Sequence, residues 1–262
     1  MHSPSARYHL SNLTRLALSD AEVVEILRVS GKRAILVGGQ ALAVWRNFYG
    51  IDLPPALTAN LTRDADFIGT AETALMVKSG LVNRKWRLEQ VKPGTLSPVT
   101  AQLTLKSANG IKEIDFLNSI VGLRTDDVRR RAVPVELRNG VIVTVLHPLD
   151  VLASRLHNIA EIPDKRNDKG VAQAELAIQI AGAFLRDTLA HGSERELFNQ
   201  VERIRIIVTQ DPVAEVCRQF ALDVLSCVPL AQIGNENFRV RRWPQIRREV
   251  RSKISPGTRR RT

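Results

Sequence analysis

The chain has 262 residues, of which 44% are hydrophobic and 25% charged, and this balance is typical of a folded globular protein and excludes disorder throughout. No apolar run approaches the ~20 residues that a membrane-spanning helix needs, and the first residues lack the pattern of a secretory signal, so we expect no membrane association. Two cysteines exclude a disulfide framework and fit a cytoplasmic location.

Most of the net charge of +11 lies near the C-terminal end of the sequence. Residues 239–262 contain ten basic residues against one acid, Glu249, which gives this segment a charge of +9. Such a concentration of cations favours a polyanion as partner, held by phosphate contacts. The sequence therefore predicts a basic tail, from Arg239 to Arg261, that binds nucleic acid.

The first 146 residues predict a mixture of helices and strands. Apolar residues recur at helical spacing over 13–29, with Ser19 as a candidate cap, and helices are also expected over 40–49 and 71–80. Strands are predicted over 33–37, 65–68, 99–106, 111–117, 133–137 and 141–146. Asn109–Gly110 predicts a tight hairpin turn between two of them.

After His147 the pattern becomes entirely helical, with helices predicted over 149–160, 171–191, 194–208 and 212–225. We therefore expect an α+β protein in three parts. A small mixed-sheet α/β domain covers 1–146, an all-helical domain covers 147–238, and the basic tail covers 239–262.

A glycine pair, Gly38–Gly39, stands between a predicted strand and a predicted helix. Glycine lets the backbone approach a ligand closely, and the free N–H groups at a helix start favour an anion. The alternative is that the pair serves chain reversal alone.

Acidic residues stand on two of the predicted strands. Asp64 and Asp66 share one face of the first because side chains alternate along a strand, and Asp115 lies with Glu113 on one face of a later strand. If the two strands are neighbours, Asp64, Asp66 and Asp115 form a three-carboxylate cluster. Such a cluster suits Mg²⁺ and phosphoryl transfer, whereas the alternative is that both faces are simply solvated.

The order of these motifs resembles the nucleotidyltransferase superfamily, which has a polymerase-beta-like fold. The nearer resemblance is to its abortive-infection AbiEii toxin-like branch. The segments that carry this resemblance are 37–44, which begins VGGQAL, 61–67, which reads LTRDADF, and 146–158, which begins LHPLDVLASR.

The resemblance implies a metal-dependent nucleotidyltransferase that moves an NMP from an NTP to a hydroxyl acceptor, such as tRNA or another nucleic acid. It also implies a toxin-like role with a cognate antitoxin as a possible partner. In this interpretation Mg²⁺ is the cofactor, and Asp64, Asp66 and Asp115 are both its ligands and the catalytic residues. The NTP would be bound by Gly38, Gly39, Thr62 and Arg155, where Arg155 neutralises triphosphate charge.

Two positions differ from the pattern of that branch, because Asn60 stands where an arginine is usual and Arg155 where a lysine is usual. These differences motivate an alternative, a non-catalytic nucleic-acid-binding or antitoxin-like module on a degenerate transferase fold. A small-molecule acceptor is a further alternative that uses the same metal site. Arg155 itself has the alternative of a surface helix position.

Overall fold

The computed structural model describes residues 14–57, 64–83, 85–92, 95, 97–137 and 140–255. Thr62, Asn60 and the last cations of the predicted tail, at 259–261, lie outside the described residues. Within the described ranges, no helix is both long enough and apolar enough to cross a membrane.

A seven-stranded mixed sheet forms the first of two units, which is built from described residues within 1–41, 60–120 and 129–146. The strands in chain order are β1 (Ile35–Val37), β2 (Ala65–Ile68), β3 (Arg87–Gln90), β4 (Val99–Ser107), β5 (Gly110–Leu117), β6 (Val133–Glu136) and β7 (Ile142–Val145). Their order across the sheet is β3-β4-β5-β2-β1-β7-β6. The β2–β5 and β1–β7 pairs are parallel and the other pairs are antiparallel. This confirms the predicted α+β class and mixed sheet.

Helices α1 (Asp20–Ser30) and α3 (Ala71–Gly80), the start of α2 (Gly38–Tyr49) and the end of α4 (Thr125–Arg131) complete this sheet unit. Ser19 begins α1 through a capping box, in which its hydroxyl accepts from the Glu22 N–H and the Glu22 carboxylate accepts from the Ser19 N–H. The predicted helix start at 13 is wrong over the described residues 14–18. The backbone there runs beside β5, where the Leu16 N–H donates to the Ile111 carbonyl at 2.8 Å.

The central strands separate a polar face from an apolar face. Phe67 on β2 and Phe116 on β5 stack with their ring centroids 5.7 Å apart, and Leu103 and Ile114 are buried on that same apolar face. Because side chains alternate, the residue preceding each phenylalanine points to the opposite face. The sheet therefore holds its polar residues together on one side.

The second unit, here called the helical unit, contains the described residues within 42–59, 121–128 and 147–262. Its helices are the rest of α2 and α4 with α5 (Pro148–Glu161), α6 (Asp168–His191), α7 (Glu194–Thr209), α8 (Asp211–Gln219) and α9 (Trp243–Ile254). His147 caps α5 because its Nδ1 accepts from the Leu149 N–H at 3.1 Å. Two segments of the predicted first domain thus group with the helices.

The predicted helix over 212–225 is shorter than expected, because α8 ends at Gln219. Ala221 adopts a left-handed conformation with φ of 52°, and the Leu222 N–H donates to the Cys217 carbonyl at 3.0 Å. This is the bonding pattern of a Schellman C-cap, a motif that ends a helix.

The prediction of a separate basic tail is wrong for its described part. Residues Phe238–Arg242 form a π-helical turn that continues directly into α9. Trp243, Ile246 and Val250 recur at helical spacing and are buried, so 239–255 belongs to the packed helical unit. The prediction was wrong because it depended on the number of arginines and did not consider the helical spacing of these three apolar residues.

Candidate active site

The turn from β1 into α2 places a glycine directly against an aspartate. Val37, the last residue of β1, is the lateral partner of Asp66 on β2, and Gly38 follows with φ of +65°. A Cβ atom at Gly38 would lie 2.0 Å from Asp66 Oδ2. Only glycine therefore fits this turn with the Asp66 carboxylate beside it. Gly39, the second residue of α2, is buried.

Asp66 and Asp115 are lateral partners on the adjacent parallel strands β2 and β5. Lateral partners project from the same face of a sheet, so the two carboxylates belong to its polar face. Asp64, two residues before Asp66, is close enough for its charge to act on Asp115. The structure thus confirms that the two acid-bearing strands are neighbours, and it brings Asp66, Asp115 and Gly38 together.

Electrostatics at this face disfavour ionised carboxylates. Burial raises the pKa of Asp115 above its ordinary value, and the negative charge of Asp64 raises it further. Two contacts oppose this shift of the Asp115 pKa: a hydrogen bond from Gln102 and the positive charge of Arg15. A cation at this face would relieve the same repulsion.

Three residues at this face were not predicted as site residues. Gln102 Nε2 donates to Asp115 Oδ1 at 2.7 Å, and Arg15 Nε lies 3.1 Å from Glu113 Oε2. Burial raises the pKa of Glu113, which the charge of Arg15 lowers and the charges of Asp115 and Asp64 raise. Gln102 fixes one oxygen of Asp115, while Arg15 supplies a positive charge from outside the sheet's named strands.

The hairpin between β4 and β5 sets Gln102 opposite Asp115, but the predicted turn does not give this register. Ser107 pairs with Gly110, and this register carries along the hairpin to Gln102 opposite Asp115. The two turn residues are therefore Ala108 and Asn109, one position earlier than the predicted Asn109–Gly110 turn, which would have placed Thr104 opposite Asp115. Arg15 has no local sequence signal either, because its position depends on a parallel bridge to Ile111 from a distant part of the chain.

The carboxylates of this face could supply only some of the ligands that a hard cation needs. Among the residues that the structure describes, no three His, Cys, Asp or Glu side chains are arranged to hold a metal ion. Mg²⁺ in nucleotide enzymes takes one or two carboxylates and completes its octahedron with waters and substrate phosphates. Adjacent carboxylates with mutual repulsion, beside a glycine turn at a helix start, fit that mode of binding.

Arg155 lies on α5 of the helical unit and is only 8% exposed. Its Nη1 donates to Gln173 Oε1 and its Nη2 to Ser154 Oγ, each at 3.3 Å. The alternative of a surface position is therefore wrong, because this guanidinium is buried and hydrogen-bonded. Its assignment to the triphosphate stays a prediction, as does that of Thr62, which lies outside the described residues.

Exposed cations remain on 239–255 although the segment is folded. Arg242 is paired with Glu202 and Lys253 with Asp211, and Arg205 reaches Glu249 on α9. Other arginines of this segment are exposed and form no salt bridge with any described residue. They are Arg239, Arg241, Arg247, Arg248 and Arg251. The segment thus carries a positive surface that is independent of residues 256–262.

No protein-family model matches the chain, and no curated protein matches it either.

Proposed function

We propose that the protein is a metal-dependent nucleotidyltransferase that moves an NMP from an NTP to a hydroxyl acceptor. The single observation that carries the proposal is that Asp66 lies against Gly38 of the β1–α2 turn and is also the lateral partner of Asp115 on β5. It supplies two carboxylates and a glycine-lined helix start at one place on the polar face of the sheet.

The triphosphate would bind at Gly38–Gly39 and the first turn of α2. The free N–H groups and positive dipole end of a helix favour phosphate, and the first turn of α2 carries no acid to compete. Asp64 and Asp66 would hold Mg²⁺, which when bound neutralises triphosphate charge. By the resemblance, Thr62 and Arg155 would add to NTP binding.

Asp115 would act as the general base. Its raised pKa makes Asp115 a better proton acceptor than an ordinary carboxylate. The hydrogen bond from Gln102 holds Oδ1 of Asp115 in place. The acceptor oxygen attacks the α-phosphorus and its proton passes to Asp115. The bond between the α-phosphorus and the bridging oxygen breaks, and pyrophosphate leaves with that electron pair.

The test is transfer of label from α-labelled NTP in the presence of Mg²⁺ or Mn²⁺ to a panel of tRNA, other RNA and small hydroxyl compounds. Asp66→Asn should lose transfer by at least ~10²-fold, the scale of a lost positioning or acid–base group. Asp126→Asn, a change at an exposed acid on α4, is the matched control and should keep it. Retained transfer by folded Asp66→Asn would contradict the proposal.

A second candidate is a non-catalytic nucleic-acid-binding or antitoxin-like module, and the exposed arginines of 239–255 favour it. A module of this kind binds RNA or DNA in a salt-dependent manner, with each lost phosphate contact lowering the salt slope by ~0.7 to 0.9. Binding of NTP that depends on metal separates the two candidates, because only the transferase requires it. Nucleic acid is a proposed partner in either case, and a cognate antitoxin is a proposed partner of the toxin-like transferase.

Substitution is the suitable probe for these arginines, since truncation at 238 would remove the buried Trp243, Ile246 and Val250. Changing Arg247 and Arg248 to Gln should reduce the salt dependence of nucleic-acid binding while leaving the fold intact. An unchanged salt slope would show that this surface does not contact phosphates.

A further inference from the structure

A cavity of about 680 Å³ opens in the helical unit between the end of α8, the segment 221–226 and one face of α9. Much of its wall is apolar, with contributions from Val208, Leu222, Val224, Trp243, Val250 and Ile254. Sites for small molecules usually have volumes of ~300–1,000 Å³ and mainly apolar walls with a few polar groups. The cavity has the size and lining of such a site.

Two arginines line the same cavity from α9. Arg247 and Arg251 lie one helical turn apart and are exposed, and within the described part of the chain neither makes a salt bridge. Arg242, which lies one turn earlier, is by contrast paired with Glu202. Guanidinium groups spaced by four residues on one helix face reach the same point and bind carboxylate or phosphate oxygens in bidentate fashion.

The remaining charges around the cavity do not cancel this pair. Arg218 lines the wall from α8 and is neutralised by Glu215. Asp223 is the one acid among the lining residues, so with Arg218 paired the lining keeps two arginines against one acid. The cavity therefore combines an apolar wall with a positive side. This charge disfavours a cationic ligand, and a neutral ligand would leave the two arginines without an anionic partner.

We propose that this cavity binds an anionic amphiphile, with an apolar body against the wall and a carboxylate or phosphate head at Arg247 and Arg251. Burial of the apolar body stabilises the complex by ~25 cal/mol per Å² removed from water. The head group adds charge-assisted hydrogen bonds and sets the orientation. This site is separate from the proposed transferase chemistry and does not depend on it.

The test compares four ten-carbon probes by calorimetry and by the fluorescence of the lining Trp243: decanoate, decyl phosphate, decanol and decyltrimethylammonium. Saturable one-to-one binding of at least one of the two anions is expected, with decanol ~10-fold weaker and the cation not bound. The two anions distinguish a carboxylate from a phosphate head. Absence of saturable binding by both anions, or equal binding of the cation, would overturn the proposal.

Variants on α9 locate the site. Arg247→Gln and Arg251→Gln should each weaken binding of the preferred anion about 10-fold, the effect of losing one charge-assisted hydrogen bond. Arg248→Gln is the matched control, since Arg248 is exposed on the same helix but does not line the cavity. Equal weakening by Arg248→Gln would indicate diffuse attraction to the basic surface and would refute a defined head-group site.

Discussion

Replacing Gly38 by alanine tests the contact on which the candidate site depends. The backbone there has φ of +65°, and an alanine in the left-handed region costs ~1–2 kcal/mol. The new Cβ would also lie 2.0 Å from Asp66 Oδ2 and 3.0 Å from its Cγ, so the carboxylate must move. An off-rotamer side chain costs a further ~0.5–1.5 kcal/mol. We therefore expect Gly38→Ala to lower the free energy of unfolding by about 1.5–3.5 kcal/mol.

Gly140 provides the matched control in the same unit. Its φ is +75°, and a Cβ atom there would meet nothing within 4 Å. Gly140→Ala therefore carries the backbone cost alone, ~1–2 kcal/mol. The difference between the two variants, about 1 kcal/mol, isolates the displacement of Asp66.

Urea denaturation followed by tryptophan fluorescence measures both unfolding free energies, and titration with Mn²⁺ and an NTP measures the site. Gly38→Ala should be less stable than Gly140→Ala by that ~1 kcal/mol and should lose binding of Mn²⁺ and the NTP. Gly140→Ala should keep this binding. If the two variants are equally stable and both bind like the wild type, the reasoning about Gly38 and Asp66 is refuted.

Three further predictions concern stability and reactivity. Because the folded pKa of Asp115 is raised, its ionised form destabilises the fold, so Asp115→Asn should stabilise the protein by ~0.5–2 kcal/mol at pH 8. This gain should shrink as the pH falls through the raised pKa and vanish below the ordinary value of 3.8, and urea titrations that show a gain independent of pH would contradict it. Ala221→Gly should raise the unfolding free energy by about 1 kcal/mol, because it relieves a left-handed alanine at φ 52° and removes an exposed methyl, and calorimetry that shows a lower melting temperature would refute this. Burial raises the pKa of Cys217 and Cys227 each to about 12, so a thiol reagent at pH 8 should label neither until the protein unfolds, and rapid native labelling would contradict that burial.

Local patterns in the sequence predict most of the sheet and the central part of the site. The alternation over 99–106 and 111–117 with a turn signal between them indicates β4 and β5, although the turn residues are Ala108 and Asn109, so the observed register differs from the one that Asn109–Gly110 implies. Asp66 and Asp115 each precede a buried phenylalanine, which fixes the face that they share. These features are local, so propensity and periodicity suffice to find them.

Long-range packing determines the features that the sequence did not predict. The approach of Arg15 to Glu113 needs the chain to run beside β5, so residues 14–18 do not form the helix that the apolar spacing indicates. The short, mostly exposed β3 was not predicted because Arg87–Gln90 lacks alternation. The burial of Arg155 depends on its neighbours across α5 and α6.

Calorimetric titration with a non-hydrolysable NTP analogue, with and without Mg²⁺, tests the central claim most directly. The account predicts binding that requires the metal in the wild type and in Asp126→Asn, and a loss of at least 10-fold in Asp66→Asn. Binding of the analogue with the same affinity in the absence of metal, or with the same affinity by folded Asp66→Asn, would contradict the assignment of this sheet face as a nucleotidyltransferase site.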